Sequence, residues 1–299
     1  MRHGQRRRGH RRARIGYTAI ATALVCALTF PAAGCGSSDG PSPQPSETPG
    51  TSAAAPSPTT DAGKDSGDDE HAGGDMLFNG PDHWDGAVDT SCPADKDVRI
   101  IIVRGTLEPV GNNSLHELAR MIDEAIGGRA AIDELDYPAS WRNGSGARGV
   151  NMLVKTLNTQ ARTCPGVKTV LLGYSQGAMV VGDALSDPQA RFNKDDGQRL
   201  SEHAFADIAA VELFGDPRFD GSADYGAGSY DRATDGILGA RGKDDLRAVQ
   251  GRIVSYCNAD DFACQLGGHG DAHGLYRSNG SFDEGAQYAA ARIRTALGE

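Results

Sequence analysis

The chain has 299 residues, with 30 basic and 40 acidic side chains and a formal net charge of −10 at pH 7. Seven arginines and no acid stand before residue 35, so the remainder carries a still larger acid excess. A surface of that sign repels phosphate backbones and argues against nucleic acid as a partner, and the length suits one domain with extensions.

Residues 1–34 read as an export signal. The basic stretch MRHGQRRRGHRRARIG is followed by YTAIATALVCALTF, an apolar run shorter than a membrane span, and then by PAAGC. The small residues before Cys35 resemble the lipobox of bacterial lipoproteins, with Ala32 where a larger aliphatic residue is usual. The expectation is an extracytoplasmic protein, anchored to the outer face of the membrane through acylated Cys35. Signal cleavage without lipidation, giving a freely secreted chain, is the alternative. Residues 35–75 are rich in Pro, Ser, Thr, Gly and Asp and hold almost nothing apolar. They read as a disordered tether, followed by one globular domain over 76–299.

Within that domain DVRIIIVRG (97–105) predicts a buried strand ending in a glycine turn. SLHELARMIDEAIG (114–127) has helical spacing, with Ser114 as N-cap and Gly127 past the end. AAIDELDYPA (130–139) predicts a strand stopped by Pro138, and 147–164 a helix. VKTVLLGY (167–174) predicts a strand, and 175–187 a helix. Strands are expected at 207–217 and 251–257, and a last helix at 281–298. The alternation predicts an α/β fold: a three-layer sandwich whose mainly parallel sheet of about five strands is flanked by helices. Residues 221–245 are irregular and polar and suggest no function.

Of six cysteines, Cys26 leaves with the signal and Cys35 is the lipid candidate. The four others, an even number in an exported chain, predict disulfides. Three pairings are possible; nearness in sequence joins Cys257 to Cys264 and leaves Cys92 for Cys164.

The stretch VLLGYSQGAMVV (170–181) sets Gly-x-Ser-x-Gly where a strand ends and a helix begins. That is the setting of a nucleophile elbow, whose tight turn requires little bulk on either side of Ser175. A serine hydroxyl needs a base, and the base needs an orienting carboxylate. Downstream histidines are His203, His269 and His273, and CNADDFACQLGGHGDAHGLY (257–276) gathers two of them with several acids. The short Cys257–Cys264 ring would hold Asp260 and Asp261, and either serves as the acid on spacing alone. A metal on His269, Asp271 and His273 is disfavoured because a glycine-rich loop offers no fixed ligand face. His83, His116 and His203 read as surface histidines.

The residues CPGVKTVLLGYSQGAMV, the turn RGTLEPVGN, and the Cys-x3-Asp-x2-Cys ring followed by His-x-x-Tyr resemble the cutinase family of α/β-hydrolases, in order across about residues 92–297. The resemblance implies Ser175 as nucleophile, Asp261 as orienting acid and His273 as base. It places the oxyanion hole at Gln176 and Thr106, the latter standing where serine is common, and it repeats both disulfide pairings. It implies a serine esterase that needs no cofactor, takes an ester substrate and is a monomer. One departure is QLGGHGDA between the ring and His273, where relatives carry an apolar stretch; this favours short to medium acyl chains. Competing readings are a non-catalytic surface binding protein on the same scaffold, and a carbohydrate deacetylase or lipid acyltransferase using the same side chains.

Overall fold

The run VRIIIV forms β1 (Val98–Val103), buried along its whole length. A strand covered on both faces reads as a continuous apolar run rather than an alternating one, and β3 (Lys168–Tyr174) and β4 (Ile208–Phe214) share that character. With β2 (Ala130–Glu134), β5 (Gly226–Ala227) and β6 (Ile253–Tyr256) they form a six-stranded sheet in the order β2-β1-β3-β4-β6-β5, every pair parallel. The structure is a computed structural model that describes residues 91–142, 144–193 and 197–299. The readings of the export signal, Cys35, the tether, the domain start at 76 and His83 lie outside those residues.

Six helices are described: α1 (Leu115–Ala125), α2 (Ser145–Thr163), α3 (Gln176–Leu185), α4 (Glu202–Asp207), α5 (Gly270–His273) and α6 (Ser281–Leu297). Alternate residues of each strand feed two cores. Ile101, Val103, Leu171 and Val211 pack against Leu153 of α2 and Val180 of α3. Ile100, Ile102, Leu172 and Phe214 pack against Leu118 of α1 and Phe282 and Ala289 of α6. The result is the expected three-layer α/β sandwich. The expectation of about five strands missed β5, which has only two residues.

Both disulfides form as the spacing suggests. Cys92 joins Cys164 across 72 positions, tying the chain leading into β1 to the end of α2. Cys257 joins Cys264 across seven. Ser114 stands at the N-cap of α1 as expected, but its side chain makes no capping hydrogen bond. Its hydroxyl donates to Glu108 at 3.1 Å instead.

The polar segment 221–245 is fastened through Arg241, whose side chain is 1% exposed. The guanidinium donates to Asp183 Oδ1 at 2.5 Å, to Asp216 Oδ2 at 3.2 Å and to the Met179 carbonyl at 3.2 Å. Gly182 makes the room, since a Cβ there would lie 2.3 Å from the guanidinium carbon. Removing one partner of such a buried group strands the others without solvent. Arg241→Ala should therefore cost about 3–5 kcal/mol in urea unfolding, and a loss below about 1 kcal/mol would contradict the assignment.

Glu212 lies in β4 with no exposed surface, and neither carboxylate oxygen has a hydrogen-bond partner among the described residues. Oε2 faces Gly285 of α6, where a Cβ would sit 2.4 Å away. Burial pushes its pKa up to about 8. The unfolded chain ionises this group near the ordinary value of about 4.3, so folding above that pH must take up a proton. Its contribution to stability is full below the unfolded value and is lost as pH rises toward about 8. Glu212→Gln should flatten the fall in Tm between pH 5 and pH 8, whereas parallel Tm profiles for the two proteins would contradict a neutral buried carboxyl.

Candidate active site

The sheet's connections choose the place. From β1 the chain passes outward to β2, whereas β3 leads to β4 on the other side. In open parallel sheets, ligands bind outside the carboxyl ends of the strands where the direction of winding reverses. Here that crevice opens between the ends of β1 and β3, and Thr106 follows one while Ser175 follows the other.

Ser175 joins β3 to α3 with φ 55° and ψ −119°. A side chain in that region costs roughly 1–3 kcal/mol and persists only when the surroundings fix it. They do so here. The Ser175 N–H donates to the Phe214 carbonyl at 2.8 Å, and the Ser175 carbonyl accepts from Met179 at 3.2 Å. A Cβ at Gly177 would lie 1.9 Å from the Val103 carbonyl oxygen, and one at Gly173 would lie 2.8 Å from Ala178 Cα. The two glycines therefore let α3 start hard against the end of β1.

His273 ends the short helix α5. Its Nδ1–H donates to both oxygens of Asp261, at 2.9 and 3.0 Å. Asp261 is fully buried and also accepts from the Tyr276 hydroxyl at 2.5 Å and the Ala263 N–H at 2.8 Å. Burial alone would raise its pKa; the hydrogen bond and charge of His273, with Tyr276 and Ala263, outweigh it and hold the carboxyl below the ordinary range. With Nδ1 committed, Nε2 is the nitrogen left to act as base.

The imidazole is held beside the elbow. Tyr174, the residue before Ser175, stacks on it at 4.9 Å, and the Tyr174 hydroxyl donates to the His273 carbonyl at 2.9 Å. Phe262 lies against it at 4.7 Å. A Cβ on Gly215, next to the Phe214 whose carbonyl holds Ser175, would come 2.8 Å from His273 Cε1. Among the described residues no hydrogen bond within 3.5 Å joins Ser175 Oγ to His273. Such bonds tighten when substrate arrives.

Thr106 and Gln176 flank the crevice from the two strands. Neither backbone N–H has an acceptor among the described residues, and the Gln176 group is one of the unpaired donors that open a helix. The Gln176 side chain is turned aside, donating to the Ser140 carbonyl at 3.0 Å. Asp260 and His269, the spacing-based alternatives, are exposed; Asp260 occupies a left-handed turn with φ 65°. His116, read as a surface histidine, is half-buried, with Nε2 2.9 Å from Glu134 Oε2 at the end of β2. His203 is exposed as expected.

Sequence reasoning missed the scaffold of this site. Arg104 is buried and donates to the Leu135 carbonyl at 3.1 Å and the Tyr137 carbonyl at 2.5 Å, while the Tyr137 hydroxyl donates back to the Arg104 carbonyl at 2.7 Å. The one available signal was a charged residue directly following the apolar run of residues 100–103.

Comparison with known proteins gives the family. The family model described as Cutinase matches residues 92–293. The chain therefore belongs to the cutinase family. It is 30% identical over 207 residues to a cutinase of Kineococcus radiotolerans, covering 67% of this chain and 63% of that protein. It is 29% identical over 203 residues to the carboxylesterase Culp1 of Mycobacterium tuberculosis, covering 66% of this chain and 82% of that one. The chain thus spans a little under two thirds of the first relative and more of the second. Among solved structures, the catalytic core domain of an acetyl xylan esterase from Trichoderma reesei superposes with a TM-score of 0.56 at 27% identity, over 68% of this chain and 100% of that one.

If Asp261 orients His273, Asp261→Asn should lower kcat by about 10³–10⁴-fold, because an amide facing Nδ1 favours the wrong tautomer. A loss under about tenfold, with the protein still folded, would remove Asp261 from this role.

Proposed function

We propose that the chain is an exported serine carboxylic ester hydrolase working through an acyl-enzyme. The observation that carries this reading is the His273–Asp261 pair stacked against Tyr174, directly beside the strained Ser175 elbow. His273 Nε2 takes the proton of Ser175 as Oγ attacks the ester carbonyl carbon. The carbonyl oxygen gains negative charge facing the N–H groups of Thr106 and Gln176. The tetrahedral intermediate collapses, the C–O bond to the alcohol breaks, and His273 returns the proton to the leaving oxygen. Water, deprotonated by His273, then attacks the acyl-serine, releasing the acid and restoring the hydroxyl. Protein groups and water carry every proton in this cycle.

The polar segment QLGGHGDA between the ring and His273 supports short to medium acyl chains. Removal of acetyl groups from a polysaccharide, suggested by the acetyl xylan esterase likeness, is the short limit of that range. One observation favours a second reading, action at an apolar surface. Leu107 beside Thr106 is 59% exposed, Leu266 two residues past the disulfide ring 65%, and Leu275 beyond His273 47%. The two disulfides and the N-terminal signal support an extracytoplasmic location, with Cys35 as the proposed anchor.

A series of p-nitrophenyl esters from acetyl to palmitoyl, run with acetylated xylan and polyester film, tests both readings. The expected kcat/KM maximum falls between acetyl and hexanoyl, whereas a maximum at long chains presented as emulsions would favour the apolar-surface reading. Ser175→Ala should lower turnover by at least about 10⁴-fold, and equal rates would end the enzyme reading.

A further inference from the structure

We propose that Glu108 is a positioning residue that aims the Thr106 N–H into the crevice. The kinetic consequence rests on the ester-hydrolase reading; the structural one does not.

The loop after β1 folds around one carboxylate. Glu108 Oε2 accepts the Gly105 N–H at 2.7 Å, and Oε1 accepts from Ser114 through its hydroxyl at 3.1 Å and its N–H at 3.4 Å. The Glu108 N–H donates to the Gly105 carbonyl at 3.2 Å, and the Glu108 carbonyl accepts from Arg104 Nε at 3.0 Å. Glu108 therefore grips Gly105 on both its amide and its carbonyl. The Gly105 carbonyl and the Thr106 N–H belong to one planar peptide and point in opposite directions. Fixing the first fixes the second. On the far side, the Leu107 N–H donates to the Ala139 carbonyl at 2.7 Å with φ 63°, so the peptides flanking Thr106 N–H are both tied.

The charge at 108 argues for a geometric purpose. A carboxylate near a developing oxyanion opposes it electrostatically. Glu108 is close enough to be felt at Tyr174, whose pKa is raised first by burial and then by Glu108 and Asp261. What a carboxylate supplies is two acceptor oxygens with charge-assisted bonds, enough to join Gly105 to Ser114 across the loop. A glutamine has one acceptor oxygen, so with that oxygen on the Gly105 N–H its amide nitrogen meets Ser114 only by donating to the hydroxyl and loses the Ser114 N–H.

The test compares wild type, Glu108→Gln and Glu108→Ala, with active serines counted by a fluorophosphonate so that kcat refers to folded protein. The Ala variant should lose about 10–100-fold in kcat, less than outright removal of an oxyanion donor, with KM changed by no more than about threefold. The Gln variant should fall between Ala and wild type. A loop staple without a positioning role would lower Tm or the count of active serines and leave kcat per serine unchanged; that result overturns the proposal. If Ala fails to fold, Gln carries the same comparison. A second readout does not depend on turnover: in ¹⁵N-labelled protein the Gly105 amide proton should resonate downfield and exchange slowly, and should move upfield and exchange faster in Glu108→Ala, which removes its acceptor. A wild type without ester turnover would fail the hydrolase reading alone. The Gly105 amide would then decide, and its indifference to Glu108→Ala would overturn the positioning role.

Discussion

The approach of α3 to the end of β1 is the constraint on which the site depends. No atom heavier than hydrogen fits on the α-carbon at 177, because the Val103 carbonyl oxygen already occupies that space. This closeness turns the chain sharply at Ser175 and puts the first free N–H groups of α3 beside the loop that carries Thr106. The crevice at the winding reversal thus lies between the residue that follows β1 and the residue that opens α3. The local strain at Ser175 persists because the sheet on one side and the helix on the other leave the backbone nowhere to relax.

The other half of the site comes from the far end of the chain and is held by polar bonds rather than by sterics. Asp261 uses its carboxylate three ways, on the imidazole, on Tyr276 and on a backbone N–H within the disulfide loop. Asn258 extends the same device: its N–H donates to the Tyr276 hydroxyl at 3.2 Å, and its side chain donates to the Ala272 carbonyl at 2.9 Å. The loop bearing His273 and the loop bearing Asp261 are therefore cross-linked through Asn258 and Tyr276. Buried charge elsewhere follows the same physics with opposite outcomes. Arg241 is surrounded by acceptors and stays charged, whereas burial favours the neutral form of Glu212.

Much of this was legible in the chain. Apolar runs marked β1, β3 and β4 to within about three residues, because their shortness and the turn residues that bound them suit strands buried on both faces. The elbow was legible because its glycines answer a steric demand that few other residues meet. What stayed hidden was held by contacts distant in sequence. β5 exists only through bonds to β6, from Ser255 to the Tyr225 carbonyl and from Cys257 to the Ala227 carbonyl. α4 is six residues long, capped by Ser201, too short to show a period. Spacing could not choose Asp261 over Asp260; the family resemblance did, and the structure buries one and exposes the other. Ser114 was legible as the N-cap position, but not that its hydroxyl would serve Glu108, because local sequence shows nothing of that side chain reaching across the loop.

The claim that Ser175 and His273 work as one unit is met most directly by mass spectrometry of the protein after a fluorophosphonate ester. The account predicts a single adduct on the peptide bearing Ser175, formed quickly in wild type and slowed at least about 10³-fold in His273→Ala. An adduct on another residue, or equal labelling of Ser175 in both proteins, would contradict it.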